Sequence, residues 1–239
     1  MRIATFQRFP VFDDIEAAAD VIGRDLVVAH QKGVDLAVFP ETFLQGHSYD
    51  GEVVERRAIE IDNFRLAALL HRLPSVRTAA IIGFFERRQG VVHNSALLVE
   101  AGRVTGVYAK VNPFEKGCTP GREFPVWRRH GWTFGINICS DLRLPSASAA
   151  LAAQGARLIC CPLNMMLKAD KAPRWREPAL EALRQCARIN DSWVVSADVT
   201  GKNADGWISF GCTAIVRPDG TVVAQAPEGA EGMLVFDLA

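Results

Sequence analysis

The sequence lacks an excess of either charge: 27 Lys and Arg residues stand against 27 Asp and Glu residues, a formal net charge of zero over 239 residues. Proteins that bind a nucleic-acid backbone usually carry a basic excess or a basic stripe, and neither is present. The longest apolar run, residues 158–167, contains Pro162 and Asn164 and is too short to cross a bilayer. The amino terminus turns polar before a signal-peptide core could form. We therefore expect a cytoplasmic protein without nucleic-acid or membrane partners.

Cysteine and histidine are also scarce, and they are not spaced as metal ligands. The chain contains six cysteines and five histidines, with no CxxC pair and no closely spaced histidine pair. So few cysteines do not make a disulfide scaffold, and we expect reduced thiols. A zinc site has no local support in the sequence. The chemical question is whether one of the thiols is reactive.

The sequence does contain a regular alternation of strand-like and helix-like segments. Apolar–polar alternation predicts a strand over residues 2–7, and Asp13 or Asp14 can cap a helix over residues 15–32. A helix over residues 177–190 would carry Pro178 in its first turn. The same criteria predict helices over 64–72 and 147–154, and strands over 35–39, 78–85, 94–100, 104–110, 133–138, 157–162, 193–199, 211–216, 221–226 and 233–238. No linker or repeat divides the chain, so we predict one α/β domain over residues 1–239.

Three residues with chemical potential follow predicted strands. Glu41 follows LAVFP, Lys110 follows VYA, and Cys139 follows FGINI. Open α/β sheets present their binding groups at strand ends. Taken singly, each residue is more often a packing thiol or a surface charge. Together they supply a nucleophile, a base and a fixed positive charge for an oxyanion, without histidine.

The segments that carry these residues resemble signatures of the nitrilase, or carbon-nitrogen hydrolase, superfamily. They are DLAVFPETFLQG, YAKVNPFEKGCTPG and GINICSDLRLP. Further similar segments follow in the same order, among them GARLICCPLNM, ARINDSWVVSAD and GCTAIVRPDG. The resemblance implies an αββα sandwich over the whole chain, commonly assembled as a homodimer through helix faces. We expect no cofactor and no metal.

The resemblance also implies a role for each residue that matches the family's signatures. Cys139 is the nucleophile, Glu41 the general base and acid, and Lys110 the cation that stabilises the oxyanion. Glu115 matches a second glutamate that the family places beside these three. The backbone N–H of Ser140 is the other oxyanion donor.

Several positions depart from the family's usual pattern. Asn112 stands where many members have His, and Ser140 replaces the usual aromatic residue after the nucleophile. Ser146 and Ile189 stand where an acidic residue is common, and the spacing from Glu115 to Gly121 is one residue tight. Because the three central residues are intact, these departures bear on the substrate and the pocket more than on the reaction class.

Residues near the nucleophile are candidates for the pocket. Trp175 matches an aromatic residue that often lines the family's pocket, although a lone Trp is more often in the core. For Arg143 we favour an ion pair with Asp141, and the alternative is contact of Arg143 or Arg174 with a substrate carboxylate. Cys118 lies in a loop that should border the pocket, and we expect it to be a packing residue.

These observations favour hydrolysis of a non-peptide carbon–nitrogen bond in a small amide or N-carbamoyl compound. Nitrile hydrolysis uses related chemistry and remains an alternative, as does a catalytically silent binding or scaffold protein. A metal-dependent phosphoesterase with Glu41 as a ligand would want a strand-end Asp-His pair late in the chain. No histidine follows His130, which argues against that class.

Overall fold

Two six-stranded β-sheets, each with a parallel centre, form the middle of the molecule in the computed structural model, which describes residues 1–239. The strands are β1 (Arg2–Gln7), β2 (Leu36–Val38), β3 (Ala79–Arg88), β4 (Val91–Glu100), β5 (Arg103–Ala109), β6 (Val126–Arg129), β7 (Trp132–Ile136), β8 (Leu158–Pro162), β9 (Leu167–Lys168), β10 (Trp193–Ala197), β11 (Gly201–Lys202), β12 (Trp207–Ser209), β13 (Ala214–Val216), β14 (Val222–Gln225) and β15 (Gly232–Asp237). The helices are α1 (Ile15–Gln31), α2 (Gly51–Arg57), α3 (Phe64–Arg72), α4 (Pro145–Ala152) and α5 (Ala172–Asn190).

The two sheets have related strand orders. The first sheet runs β15-β1-β2-β3-β4-β5, with β1, β2 and β3 parallel. The second runs β14-β13-β10-β8-β7-β6, with β10, β8 and β7 parallel. A small third sheet pairs β11, β12 and β9. Since parallel strands end at the same edge, each large sheet gathers its strand-end residues on one side.

Apolar side chains divide the molecule into four layers. The inner faces of the two sheets pack together through buried residues such as Ile3, Val38, Ile136 and Val195. Helices α1 and α3 cover the outer face of the first sheet, and α4 and α5 cover that of the second. This arrangement confirms the αββα sandwich. No helix has both the length and the apolar character needed to span a membrane.

The sequence located most of these elements, and local signals explain why. The bounds of β1 and α3 are as predicted, and Asp14 caps α1 by accepting a hydrogen bond from the Ala17 N–H at 2.9 Å. The position predicted for Pro178 is wrong. Helix α5 begins five residues earlier than expected, so Pro178 lies inside it rather than in its first turn. Pro173 takes the early position, where the missing N–H costs no helical hydrogen bond.

A few elements carry no clear periodicity and were not predicted. Helix α2 has only seven residues, and its one clear signal is Asp50, which accepts hydrogen bonds from the N–H groups of Glu52 and Val53. Strand β6 and the strands of the small sheet are two to four residues long. Such short segments are held by their tertiary contacts rather than by local preference.

Gly83 in β3 allows the loop after β2 to pack directly against the sheet. A Cβ atom at this position would lie 2.4 Å from the Thr42 nitrogen and 2.6 Å from the Pro40 oxygen. Both are backbone atoms, so the clash could be relieved only by moving the segment that carries Glu41. Because Gly83 has no side chain, the segment that carries Glu41 can lie directly against β3.

We predict that Gly83→Ala lowers the free energy of unfolding by about 1–3 kcal/mol, the usual effect of overpacking, and also lowers activity. Gly23→Ala in α1 is the matched control. Its Cβ would meet nothing closer than 3.6 Å, and alanine favours helix, so melting should stay or rise. Thermal melting of both variants checks this; equal melting temperatures would contradict it.

Candidate active site

Strand ends from both large sheets converge at one edge of the sandwich. Glu41 follows β2 and Lys110 follows β5 in the first sheet, while Cys139 follows β7 in the second. The Glu41 N–H donates to the carbonyl of Leu163, just after β8, at 3.1 Å. This hydrogen bond joins the two sheets directly at the site. The structure thus brings together the residues that the sequence singled out.

The ammonium group of Lys110 lies between two buried carboxylates. Its Nζ donates to Glu41 Oε1 at 2.6 Å and to Glu115 Oε1 at 2.8 Å. The Lys110 side chain is only 2% exposed, so neither water nor salt screens these contacts effectively. Glu115, predicted to lie beside the other residues, does so.

Two further side chains complete the hydrogen bonds of the carboxylates. Asn94 in β4 donates from Nδ2 to Glu41 Oε1 at 2.7 Å and to Glu115 Oε1 at 3.1 Å. His47 Nε2 lies 2.8 Å from Glu115 Oε1. Glu41 Oε2 is buried and has no partner within the protein. One oxygen of Glu41 is therefore committed to Lys110 and Asn94, and the other is free to accept a proton.

The buried charges stabilise one another. Burial opposes the charged form of Lys110, but the charges of Glu41 and Glu115 raise its pKa well above the usual value. Burial would likewise raise the pKa of Glu115, but the hydrogen bond from His47 and the charge of Lys110 lower it below its usual value. Lys110 and Glu115 are therefore both charged at neutral pH.

Cys139 is the first residue of a short 3₁₀ helix, Cys139–Arg143, in the turn that follows β7. Its φ of 44° is in the left-handed region, which is uncommon for a residue other than glycine. Burial and the charge of Glu41 raise the pKa of its thiol well above 9.0, whereas Lys110 opposes the shift. The resting thiol is consequently protonated and needs a base before it can react.

Asp141 ties the Cys139 turn to the segment after Lys110. Its Oδ2 accepts hydrogen bonds from the Tyr108 hydroxyl at 2.7 Å and the Ile138 N–H at 2.9 Å. Its Oδ1 accepts from the N–H groups of Val111 at 3.1 Å and Asn112 at 2.8 Å. The expected ion pair with Arg143 does not form, because these four donors already saturate a carboxylate that is sealed from solvent.

Two of the unusual residues, Asn112 and Ser140, contact each other. The Ser140 hydroxyl donates to the Asn112 carbonyl at 2.6 Å, and Asn112 Nδ2 donates to the Ser140 carbonyl at 2.8 Å. This reciprocal pair fixes the residue after Cys139 against the residue that follows Lys110 by two positions. The two departures are therefore compatible with the geometry of the site.

A cavity of about 230 Å³ opens beside Cys139, and ten of its fourteen lining residues are hydrophobic. Trp175 and Arg143 both line it, as proposed from the sequence. The Arg143 guanidinium lies 5.2 Å from the Phe114 ring centroid and 5.7 Å from that of Trp175. It is the one charged residue of the lining. Cys118 is not in the lining and packs against residues such as Val92.

The carboxylates and His47 also form the type of cluster that can bind a metal ion. One ligand atom from each of Glu41, His47 and Glu115 lies within 4.8 Å of the others. However, the Lys110 ammonium is hydrogen-bonded to both carboxylates, so a metal ion there would meet a fixed positive charge. This donor set fits an ammonium rather than a metal ion.

Sequence reasoning missed Asn94 and His47. Asn94 lies within β4, where its backbone carbonyl accepts from the Lys110 N–H at 2.8 Å, so sheet register alone places it beside Lys110. His47 lies six residues after Glu41 in the same loop. Its closeness to Glu41 in the sequence was the one available signal. His47 does not follow a predicted strand, so the strand-end criterion did not select it.

Comparison with known proteins agrees with this geometry. A sequence model of the carbon-nitrogen hydrolase family matches residues 2–239. The chain belongs to the carbon-nitrogen hydrolase family. It is thus an enzyme of the nitrilase superfamily, as the signature segments indicated.

Individual relatives of this carbon-nitrogen hydrolase include amidases and nitrilases. An (R)-stereoselective amidase from Pseudomonas sp. is 30% identical over 195 residues, which cover 80% of this chain and 69% of the relative. Nitrilase 3 from Arabidopsis thaliana is 25% identical over 276 residues, covering 100% and 78%. The crystal structure of an amidase from Nesterenkonia sp. has the same fold, with a TM-score of 0.82, 24% identity and coverage of 100% and 90%.

We predict that Asp141→Ala destabilises this carbon-nitrogen hydrolase by about 3 kcal/mol or more, because it leaves several buried donors without an acceptor. Tyr108→Phe removes only one of those donors and should cost about 1 kcal/mol. Chemical denaturation of both variants measures the difference. Similar unfolding midpoints would show that Asp141 does not hold the Cys139 turn in place.

Proposed function

We propose that this hydrolase cleaves the carbon–nitrogen bond of a small amide through a thioester on Cys139. The observation that carries the proposal is the buried contact of Lys110 with Glu41 and Glu115, next to a thiol that faces an apolar cavity. The cluster supplies a base and a fixed cation, and the cavity supplies room for a small acyl group.

The first half of the reaction forms the thioester. Glu41 Oε2, which has no partner in the protein, takes the proton of Cys139 as the sulfur attacks the carbonyl carbon. Lys110 and the Ser140 N–H stabilise the oxyanion of the tetrahedral intermediate. Glu41 then passes its proton to the departing nitrogen, so that ammonia or an amine leaves and Cys139 remains acylated.

The second half of the reaction regenerates the thiol. Glu41 takes a proton from a water molecule, whose oxygen attacks the thioester carbon. The carbon–sulfur bond breaks, the acid product forms, and the proton returns from Glu41 to Cys139. Glu115 holds Lys110 in place throughout and orients the substrate nitrogen or the attacking water, since its Oε1 is hydrogen-bonded to Lys110 Nζ.

The cavity favours an amide with a small apolar acyl group. Burial of such a group against residues like Leu142 and Trp175 contributes about 25 cal/mol per Å² of apolar surface. Amides fit the names of the relatives: one structure of a variant of the Nesterenkonia amidase contains butyramide, and another carries the acetamide moiety of fluoroacetamide on its active-site cysteine. Arg143 could receive an anionic substituent or the carboxylate of an N-carbamoyl compound.

Nitrile hydrolysis is the second candidate, because nitrilases are also among the relatives. A screen for ammonia release over amides, N-carbamoyl compounds and nitriles separates these substrate classes.

The proposal also covers assembly and location. We propose that residues 1–239 form a single catalytic domain, that the protein is a homodimer and that it is cytoplasmic. Light scattering that showed only a 26.2 kDa species would contradict the dimer.

We predict that Cys139→Ala abolishes ammonia release while melting normally, because the thiolate forms the covalent intermediate. Cys118→Ala is the matched control, since it removes another half-buried thiol that does not line the cavity. Its turnover should remain close to that of the wild type. Measurable turnover by Cys139→Ala would show that another residue is the nucleophile.

We further predict that Glu115→Gln lowers turnover by a factor on the order of 10² to 10⁴, the range for a positioned acid–base partner. The substitution keeps the shape of the side chain and removes its charge beside Lys110. Steady-state ammonia release, compared with thermal melting, tests this. Normal turnover with normal melting would leave Glu41 as the only acid–base group.

A further inference from the structure

The buried cluster around Lys110 has more negative than positive charge unless a further group contributes. Glu41 and Glu115 are two carboxylates, and both are hydrogen-bonded to the single ammonium of Lys110. An uncompensated charge in a buried site is costly. Asn94 donates hydrogen bonds to the same carboxylates but carries no charge. The remaining titratable donor in contact with the cluster is His47.

The ring of His47 is held firmly against Glu115. Its Nε2 lies 2.8 Å from Glu115 Oε1, and its side chain is only 6% exposed. The ring meets that of Tyr49 edge-on, with centroids 4.6 Å apart, and lies 6.2 Å from that of Phe85. Arg57 Nη1 donates to the His47 carbonyl at 3.2 Å and so fixes the backbone.

On its other side, His47 lines a second, more polar cavity of about 490 Å³. Nδ1 of His47 has no hydrogen-bond partner in the protein and is not sealed from solvent, so the ring can exchange protons through this cavity. The titratable and charged residues that line this cavity with His47 are Asp13, Tyr49, Asp50, Arg56, Arg57 and Asp205. On the side of the cluster, the ring faces Glu41, Lys110 and Glu115. The carboxylate within hydrogen-bond distance of the ring is that of Glu115, and Asp13 is paired with Arg57.

We propose that His47 is a positioning residue for Glu115, acting through the 2.8 Å contact between His47 Nε2 and Glu115 Oε1. The proposal rests on the role proposed for Glu115 in amide hydrolysis. Against the effect of burial, the hydrogen bond from the ring lowers the pKa of Glu115, and it also holds the carboxylate in one orientation. Lys110 therefore remains available to Glu41 and to the oxyanion.

Two variants test the hydrogen bond between the ring and Glu115. His47→Phe keeps an aromatic ring but removes the donor, so kcat should fall about 10- to 100-fold, the effect of one lost hydrogen bond to a charged group. KM should change little, because His47 does not line the substrate cavity. His47→Gln keeps a donor on a side chain of another shape, and it should recover part of kcat.

Asp205→Asn is the matched control, since Asp205 lines the polar cavity but does not contact Glu115. Its kcat and KM should match those of the wild type. A His47→Phe variant with kcat within about twofold of the wild type and normal melting would overturn the proposal. If His47→Phe does not fold, a normally melting His47→Gln variant with raised KM and unchanged kcat would overturn it.

A measurement without turnover keeps this proposal distinct from the proposed function. A wild-type protein that released no ammonia from any amide would contradict the function and not the contact. In that case the ¹⁵N chemical shifts of the His47 ring, measured at one pH in the wild type and in Glu115→Gln, test the contact directly. We expect a clear change, and unchanged shifts would overturn the proposal.

Discussion

The buried Lys110 ammonium is the group on which the rest of the site depends. A charge in this position is stable only if anionic oxygens surround it, and Glu41 and Glu115 provide them at 2.6 and 2.8 Å. The charge of Lys110 in turn helps to lower the pKa of Glu115 below its usual value. The glycine at position 83 lets the Glu41 loop approach, and the β4–β5 register places Asn94 opposite Lys110. The contacts that surround the Lys110 ammonium therefore depend on the strand positions that bring Glu41 and Asn94 beside it.

Cys139 belongs to the other sheet, so its position relative to Lys110 depends on how the two sheets are joined at this edge. Two connections do this. The Glu41 N–H binds the Leu163 carbonyl, and Asp141 binds N–H groups on both sides, at Ile138 and after Lys110. Because Asp141 satisfies four donors at once, the Cys139 turn cannot move without breaking several hydrogen bonds. The strained φ of Cys139 is held by this network.

The sequence could predict the features that depend on short-range pattern. Strand-end positions identified Glu41, Lys110 and Cys139, and the Asp14 cap located the start of α1. Features that depend on register or packing were beyond it. Asn94 reaches the site from mid-strand, and His47 from a loop. Arg143 was expected to pair with Asp141, although both are in the same short segment. Backbone donors satisfy Asp141 instead, and such donors cannot be assigned from side-chain types.

The charged residues Glu41, Lys110 and Glu115 do not line the apolar cavity beside Cys139. The cavity beside Cys139 is mostly apolar, with Arg143 as its one charged lining residue, whereas Glu41, Lys110 and Glu115 pair with one another outside this lining. Under the proposed function, an apolar acyl group can therefore occupy the cavity without contacting the carboxylates. Burial raises the pKa of the Cys139 thiol well above its usual value, so the resting sulfur is protonated and needs a base before it can react. In the proposed mechanism Glu41 is that base, and the substrate must therefore place an electrophilic carbon between Cys139 and Lys110.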